Sequence, residues 1–222
     1  MVGNYVPRPN APAPDRCSPF RTFALMPQYF LVNKPYDMLS QFTREVPEHR
    51  VLGDLYAFPP RVYPVGRLDR DSEGLLLLTD DTRLNAALLH PDRRHPRTYW
   101  VQVEGSPTDE TLDRLRAGVH FRVKKKELRA RPLEARPLTA EEADSVPARN
   151  PPVRFRKSIP DTWLALTLTE GKNRQVRRMC AAVGHPVLRL LRHRIEDVSL
   201  EDLKGEPVRS VPGPWLRERL GL

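Results

Sequence analysis

Leu75-Leu76-Leu77-Leu78-Thr79 is the segment that most constrains how this chain folds. A strand with one wet face alternates apolar and polar side chains, whereas an unbroken apolar run sends side chains to both faces and needs cover on both. The run therefore predicts a strand in the middle of a sheet, with layers above and below. It is entered through Ser72-Glu73-Gly74, a turn signal, and left at Asp80-Asp81. Either aspartate can cap a following helix that carries Leu84, Ala87 and Leu88 on one face and stops at Pro91.

Other elements follow from the same rules. Tyr29-Phe30-Leu31-Val32 is a short β-prone run that ends at Asn33-Lys34-Pro35, and Tyr99 to Val103 and Trp163 to Thr169 have strand composition. Thr108 can cap a helix reaching Ala117, with Leu112 and Leu115 on its inner face and Gly118 closing it. Asn173 can cap another, in which Val176, Met179, Cys180 and Val183 form one stripe at i, i+3, i+4 and i+7, and Gly184 stops it. Residues 119–133 interleave strand formers with Arg122, Lys124, Lys125, Lys126, Arg129 and Arg131, as a basic hairpin or edge would. Strands and helices are interspersed without strict alternation, so the class is α+β with a mixed, largely antiparallel sheet.

Two stretches read differently. Residues 1–27 hold six prolines and no apolar core segment, as in a flexible tail, with Met26 a second candidate start. Residues 134–160 mix prolines with charges and read as a variable loop within one unit spanning 28–222. No stretch approaches the roughly 20 apolar residues of a spanning helix. Cys17 and Cys180 lie far apart without metal-ligand spacing, which fits a reducing cytoplasm and no metal site, and nothing in the sequence demands more than a monomer. With 37 basic residues against 28 acidic ones, a net charge of +9 favours a polyanionic partner, nucleic acid first.

Three constellations carry candidate chemistry. In Val65 to Asp81, Asp69 sits in a turn between Arg67 and Arg70 at the end of the buried strand. A guanidinium favours the ionised carboxylate that nucleophilic or base catalysis requires, yet a surface turn with ion pairs has the same local pattern. Asp69 and Glu73 also form a possible glycosidase-type acid and base. The second constellation, Gly171 to Ile195, holds Lys172, Arg174, Arg177, Arg178, Arg189, Arg192 and Arg194. Arg177 flanks the apolar stripe and can reach a cleft carboxylate, while Arg174 and Arg178 face solvent or phosphate. In the third, His95-Pro96-Arg97-Thr98 leads into Tyr99, whose ring is either core or a platform for an unstacked base. The histidines form no ligand pair, and Gly171-Lys172 lacks the rest of a phosphate loop.

Taken in order, NKPYDMLSQFT, VGRLDRDSEGLLLLTDD, HPRTYWVQV, EGKNRQVRRM and HPVLRLLRHRI resemble the motif series of the RsuA family of bacterial pseudouridine synthases, over roughly residues 28–212. Within it the likeness is to the RluE type, which modifies a uridine of 23S ribosomal RNA. The resemblance implies a sheet bisected by a cleft and no cofactor, since isomerisation needs neither redox nor energy input. It implies Asp69 as nucleophile, Tyr99 stacked on the flipped uracil, Arg177 paired with Asp69, and Leu190 lining the pocket. It also implies RNA contacts from Lys34, Arg67, Arg97, Lys172, Arg174, Arg178 and Arg192. Many members carry an N-terminal RNA-binding domain of roughly 60 residues, longer than the 27 residues here, so target selection is expected to rest on the basic hairpin and the 171–195 run. The rival readings are a non-catalytic ribosome-assembly factor and a glycosylase using Asp69 and Glu73.

Overall fold

The computed structural model describes residues 26–90, 92–153 and 159–222. Residues 1–25 of the expected tail, Cys17 and the expected helix stop at Pro91 lie outside them. In chain order the strands and helices are β1 (Tyr29–Lys34), β2 (Tyr63–Pro64), β3 (Glu73–Thr79), α1 (Thr82–Leu89), β4 (Arg97–Glu104), α2 (Asp109–Ala117), β5 (Val119–Val123), β6 (Lys126–Ala130), β7 (Glu134–Pro137), α3 (Ala140–Ser145), β8 (Asp161–Leu168), α4 (Gln175–Ala182), β9 (Val187–Ile195), β10 (Val198–Ser199), β11 (Val208–Ser210) and α5 (Gly213–Arg219). Among the described residues, no helix is long and apolar enough to cross a membrane.

One sheet runs β11-β1-β3-β9-β4-β8-β7, with β2 added to β3 and β10 to β9, and β5 and β6 form a separate hairpin. All of its ladders are antiparallel except β3–β9. That exception organises the molecule. β3 and β9 pair only through Glu73 with Leu191 and Gly74 with Arg192, so two half-sheets meet at a short seam and part beyond it. Gly74 has φ +99, and a Cβ there would stand 2.4 Å from the Arg192 carbonyl oxygen; only glycine permits this approach. Two arginines of β9 strengthen the seam. Arg189 donates to Glu73 through Nε (2.9 Å) and Nη2 (2.8 Å), and Arg192 Nε donates to the Leu75 carbonyl (2.7 Å).

The leucine run behaves as its composition requires. All seven residues of β3 are buried; Leu75 and Leu77 enter one core with Leu84 and Leu88 of α1 and Leu216 of α5, and Leu76 and Leu78 enter another with Met38, Leu52, Val62 and Leu68. In the other half-sheet, Val101, Val103, Leu164 and Leu166 pack against Leu112 and Leu115 of α2 and Met179 and Cys180 of α4. Asp81, rather than Asp80, caps α1, its Oδ1 accepting from Arg83 N and Leu84 N while its Oδ2 takes the Tyr29 hydroxyl. Thr108 caps α2.

Two expectations are corrected. Residues 134–160 are not simply a loop: β7 is an edge strand on β8, and α3 is closed by a Thr139–Glu142 capping box. Proline at the end of this strand is tolerated because an edge leaves one side of the ladder unpaired. Asn173 does not cap α4. Arg174 holds that position with left-handed backbone (φ 50, ψ 36) and no side-chain cap, which directs its guanidinium to distant carboxylates instead.

Candidate active site

The turn carrying Asp69 is fastened from below. Leu68 is buried, its N–H donating to Ser40 Oγ (3.1 Å) and its carbonyl accepting from the same hydroxyl (2.9 Å). Ser72 N donates to the Asp69 carbonyl at 3.0 Å and closes the turn into β3. Lys34 anchors the neighbouring backbone, donating to the carbonyls of Met38 (2.7 Å), Pro35 (2.9 Å) and Arg70 (3.3 Å). This corrects the expectation that Lys34 touches RNA, because the residue is wholly buried. Burial pushes its ammonium down to about 8, against the opposing charges of Glu73, Asp71, Asp37 and Asp69.

The second half-sheet supplies the facing wall. β4 brings Tyr99, β9 brings Leu190, and the start of α4 brings Arg174 and Val176 to a cavity of about 110 Å³ that Asp69 also lines. Arg67 and Tyr99 also line an adjoining cavity of about 470 Å³, where Arg93, Arg97 and Arg192 join them. Together the two make a cleft across the half-sheets, apolar around Leu168, Val176 and Leu190 and cationic beyond Tyr99.

The ion pairs differ from expectation. Arg174, not Arg177, comes within ion-pair distance of Asp69, with Nη1 3.6 Å from Oδ2. Arg174 also grips Asp71 with both nitrogens, at 2.9 and 2.8 Å. Arg177 turns to Asp71 as well, its Nη2 donating to the carbonyl at 2.8 Å and lying 3.3 Å from Oδ2. Two guanidiniums thus share one carboxylate beside Asp69. Burial alone would push the Asp71 carboxyl up, but the Arg174 hydrogen bonds and the Arg177 charge outweigh it and hold it below the usual range. Arg177 is itself shifted down by burial, with Asp71 opposing.

The remaining candidates divide. Arg67 reaches Gln41 (3.1 Å) at the junction of both cavities, and Arg97 donates to the Leu88 carbonyl (3.2 Å) beside the larger one. Lys172 pairs with Glu170 (2.8 Å) on the rim of the smaller. Arg192 is buried on the wall of the larger cavity with its Nη2 lacking a hydrogen-bond partner among the described residues. Arg178 lines neither; it donates to the carbonyls of Arg122 (2.6 Å) and Asn173 (3.2 Å). Glu73 is committed to Arg189 inside the seam, which removes it as the second carboxylate of an acid–base pair. Gln175 is a rim residue of the smaller cavity that the sequence pattern does not single out. Buried, it accepts from Lys172 N and donates to Glu170 (both 2.8 Å), shaping the rim; a lone polar residue beside the apolar stripe was its only signal.

Comparison with known proteins agrees with this architecture. Residues 28–182 match the family model described as RNA pseudouridylate synthase. The chain is 51% identical over 174 residues to ribosomal large subunit pseudouridine synthase E of Xanthomonas axonopodis pv. citri, covering 78% of this chain and 88% of that one. It is 47% identical over 185 residues to the protein of the same name from Vibrio parahaemolyticus, covering 83% and 71%. A crystal structure of a pseudouridylate synthase superposes with a TM-score of 0.65 at 24% identity, over 87% of this chain and 74% of its own, which speaks to the fold. The matched span runs from before β1 through α4 and includes Asp69, Tyr99 and Arg174, whereas Leu190 and Arg192 of β9 lie beyond it. On these grounds the chain belongs to the RNA pseudouridylate synthase family.

Proposed function

We propose that this chain converts a uridine of large-subunit ribosomal RNA, of the 23S type, to pseudouridine, with Asp69 as nucleophile. The observation that carries the reading is the meeting of Asp69, Tyr99 and Leu190, from separate parts of the chain, around one small cavity. A base cannot be reached inside a stack, so the target nucleotide must turn out into such a pocket, and an aromatic ring repays part of the lost stacking. Tyr99 offers that ring, and Leu190, Leu168 and Val176 offer apolar walls.

The reaction breaks the bond between N1 and C1′, forms one between C5 and C1′, and moves a proton from C5 to N1. Atoms and electrons balance within the nucleotide, so the chain has only to supply a nucleophile, hold the freed base and let it rotate. Arg174, 3.6 Å from Asp69, supports the charged carboxylate. Arg67, Arg97 and Arg192 beside the larger cavity offer donors for backbone phosphates. The names of the relatives support a large-subunit substrate, and all of these residues come from one copy of the chain.

The test is Asp69→Asn assayed on a 23S ribosomal RNA transcript, with pseudouridine quantified by nucleoside mass spectrometry after chromatography. Turnover is expected to vanish while RNA affinity stays within about tenfold, or roughly 1.4 kcal/mol. Turnover persisting in the variant would remove Asp69 from the nucleophile's role. Release of free uracil by the wild-type chain would instead identify a glycosylase.

A further inference from the structure

Beyond Arg174 the cleft continues into a region the reaction does not use. A cavity of about 370 Å³ lies there, lined by Tyr36, Asp71, Arg149, Arg174 and Arg177. It shares Arg174 with the active-site cavity, and shares Tyr36 and Arg149 with a further cavity of about 330 Å³ that Arg50 also lines. Arg149 is unusual among the arginines here. Its guanidinium carbon lies 4.1 Å from the centroid of the Tyr36 ring, while Nε donates to the Pro151 carbonyl (2.8 Å) and Nη2 to the Pro152 carbonyl (3.2 Å).

Those contacts cover one face of the guanidinium and fix its edge. A planar cation held this way is preorganised to stack a flat ring, and guanidinium planes and aromatic rings both serve unstacked nucleobases in this manner. Arg50, Arg174 and Arg177 around the same two cavities supply positive charge for the phosphates on either side of such a base. The sharing of Arg174 places the cavity that Tyr36 and Arg149 line next to the target pocket, within reach of a stretch of strand flanking the target.

We propose that Tyr36 and Arg149 form a stacking subsite for an unpaired nucleobase of the RNA strand flanking the target uridine. This rests on the RNA-substrate reading above and adds a determinant of target choice: the flank must be single-stranded at this point. The preference is for a π-face rather than for one base, because every base presents one.

The experiment uses the full chain and the same large-subunit transcript. Tyr36→Leu and Arg149→Lys are each expected to raise KM about tenfold, equivalent to about 1.4 kcal/mol, with the loss falling on KM rather than kcat. Tyr36→Phe, which keeps the ring, is expected to restore KM. Ultraviolet cross-linking should join the Tyr36 peptide to a nucleotide adjacent to, or one removed from, the mapped pseudouridine. Unchanged KM in both variants, or a cross-link to a remote nucleotide, would overturn the subsite while leaving the synthase reading intact. Failure of the wild-type chain to make pseudouridine would instead strike the underlying reading, and shows before any variant is assayed. Should Tyr36→Leu lower the melting temperature sharply, Arg149→Lys, at a partly exposed position, carries the measurement.

Discussion

Asp71 is the side chain on which the placing of both guanidiniums beside Asp69 depends. It accepts two hydrogen bonds from Arg174 and stands 3.3 Å from Arg177, so it fixes both guanidiniums beside Asp69. Asp71→Asn removes the charge and leaves the shape. Water reaches both Asp71 and Arg174, so the expected stability loss is about 1–2 kcal/mol, below that of a fully buried pair. Turnover is expected to fall about tenfold, since Arg174 is no longer held and each 1.4 kcal/mol of lost positioning is a factor of ten. The pH dependence has a definite sign. Asp71 is held below its ordinary value of 3.8 by its arginines, against burial, so its stabilisation is complete above that value and disappears as pH falls through the lower folded value. Melting curves of wild type and variant should therefore differ at neutral pH and converge in acid; a gap that persists at low pH would mean the carboxylate charge is not what matters. None of this was legible in the local sequence. Asp71 and Arg174 are 103 residues apart, and the place of Arg177 beside the apolar stripe favours it over Arg174 as the partner of Asp69, the reverse of what the structure shows. The left-handed backbone of Arg174, which decides between them, has no residue-type signal, because asparagine and glycine are the usual occupants of that region.

At the scale of elements, local chemistry was the better guide. The leucine run of β3, the Thr108 cap of α2 and the buried stripe of α4 each depend on residues within one or two turns of one another, and each formed as its spacing requires. β7 and α3 were hidden for the opposite reason, since a four-residue edge strand ending in proline takes its stability from β8. The β3–β9 seam lies between these cases: a glycine before an apolar run reads as a turn, while the reason only glycine fits is the Arg192 backbone that meets it from far along the chain. Gly74→Ala tests the seam. A Cβ at 2.4 Å from a carbonyl oxygen, added at positive φ, forces the two strands apart. The expected destabilisation is about 3 kcal/mol or more by denaturant unfolding, accompanied by loss of turnover because Asp69 and Tyr99 stand on opposite sides of the seam. A variant as stable and active as wild type would show that the half-sheets can separate without harm.

The molecule as a whole is a basic body with a cleft between two half-sheets, and its charge has to be apportioned between places that hold RNA and places that only keep the chain in solution. The cleft arginines are mostly engaged by carbonyls and carboxylates, whereas Lys124, Lys125 and Lys126 at the β5–β6 turn are well exposed, and no ion pair among the described residues uses them. This hairpin forms its own small sheet at the side of the core that α4 covers, and Arg178 of α4 ties into it through the Arg122 carbonyl. It is thus fixed to the helix that delivers Arg174 and Arg177. A cation on a strand path releases a counterion from RNA, and the logarithm of affinity then falls with the logarithm of salt by about 0.7 per contact for a single strand. Replacing all three lysines by alanine is expected to reduce that slope by about 2 if each meets a phosphate, with affinity at low salt falling most and kcat little altered. The measurement is a filter-binding or anisotropy titration of the wild-type and triple-variant chains on the same transcript across a salt series. Parallel lines, equal in slope and offset, would remove the hairpin from the RNA path and leave the cleft and its flanking cavities as the whole of the interface.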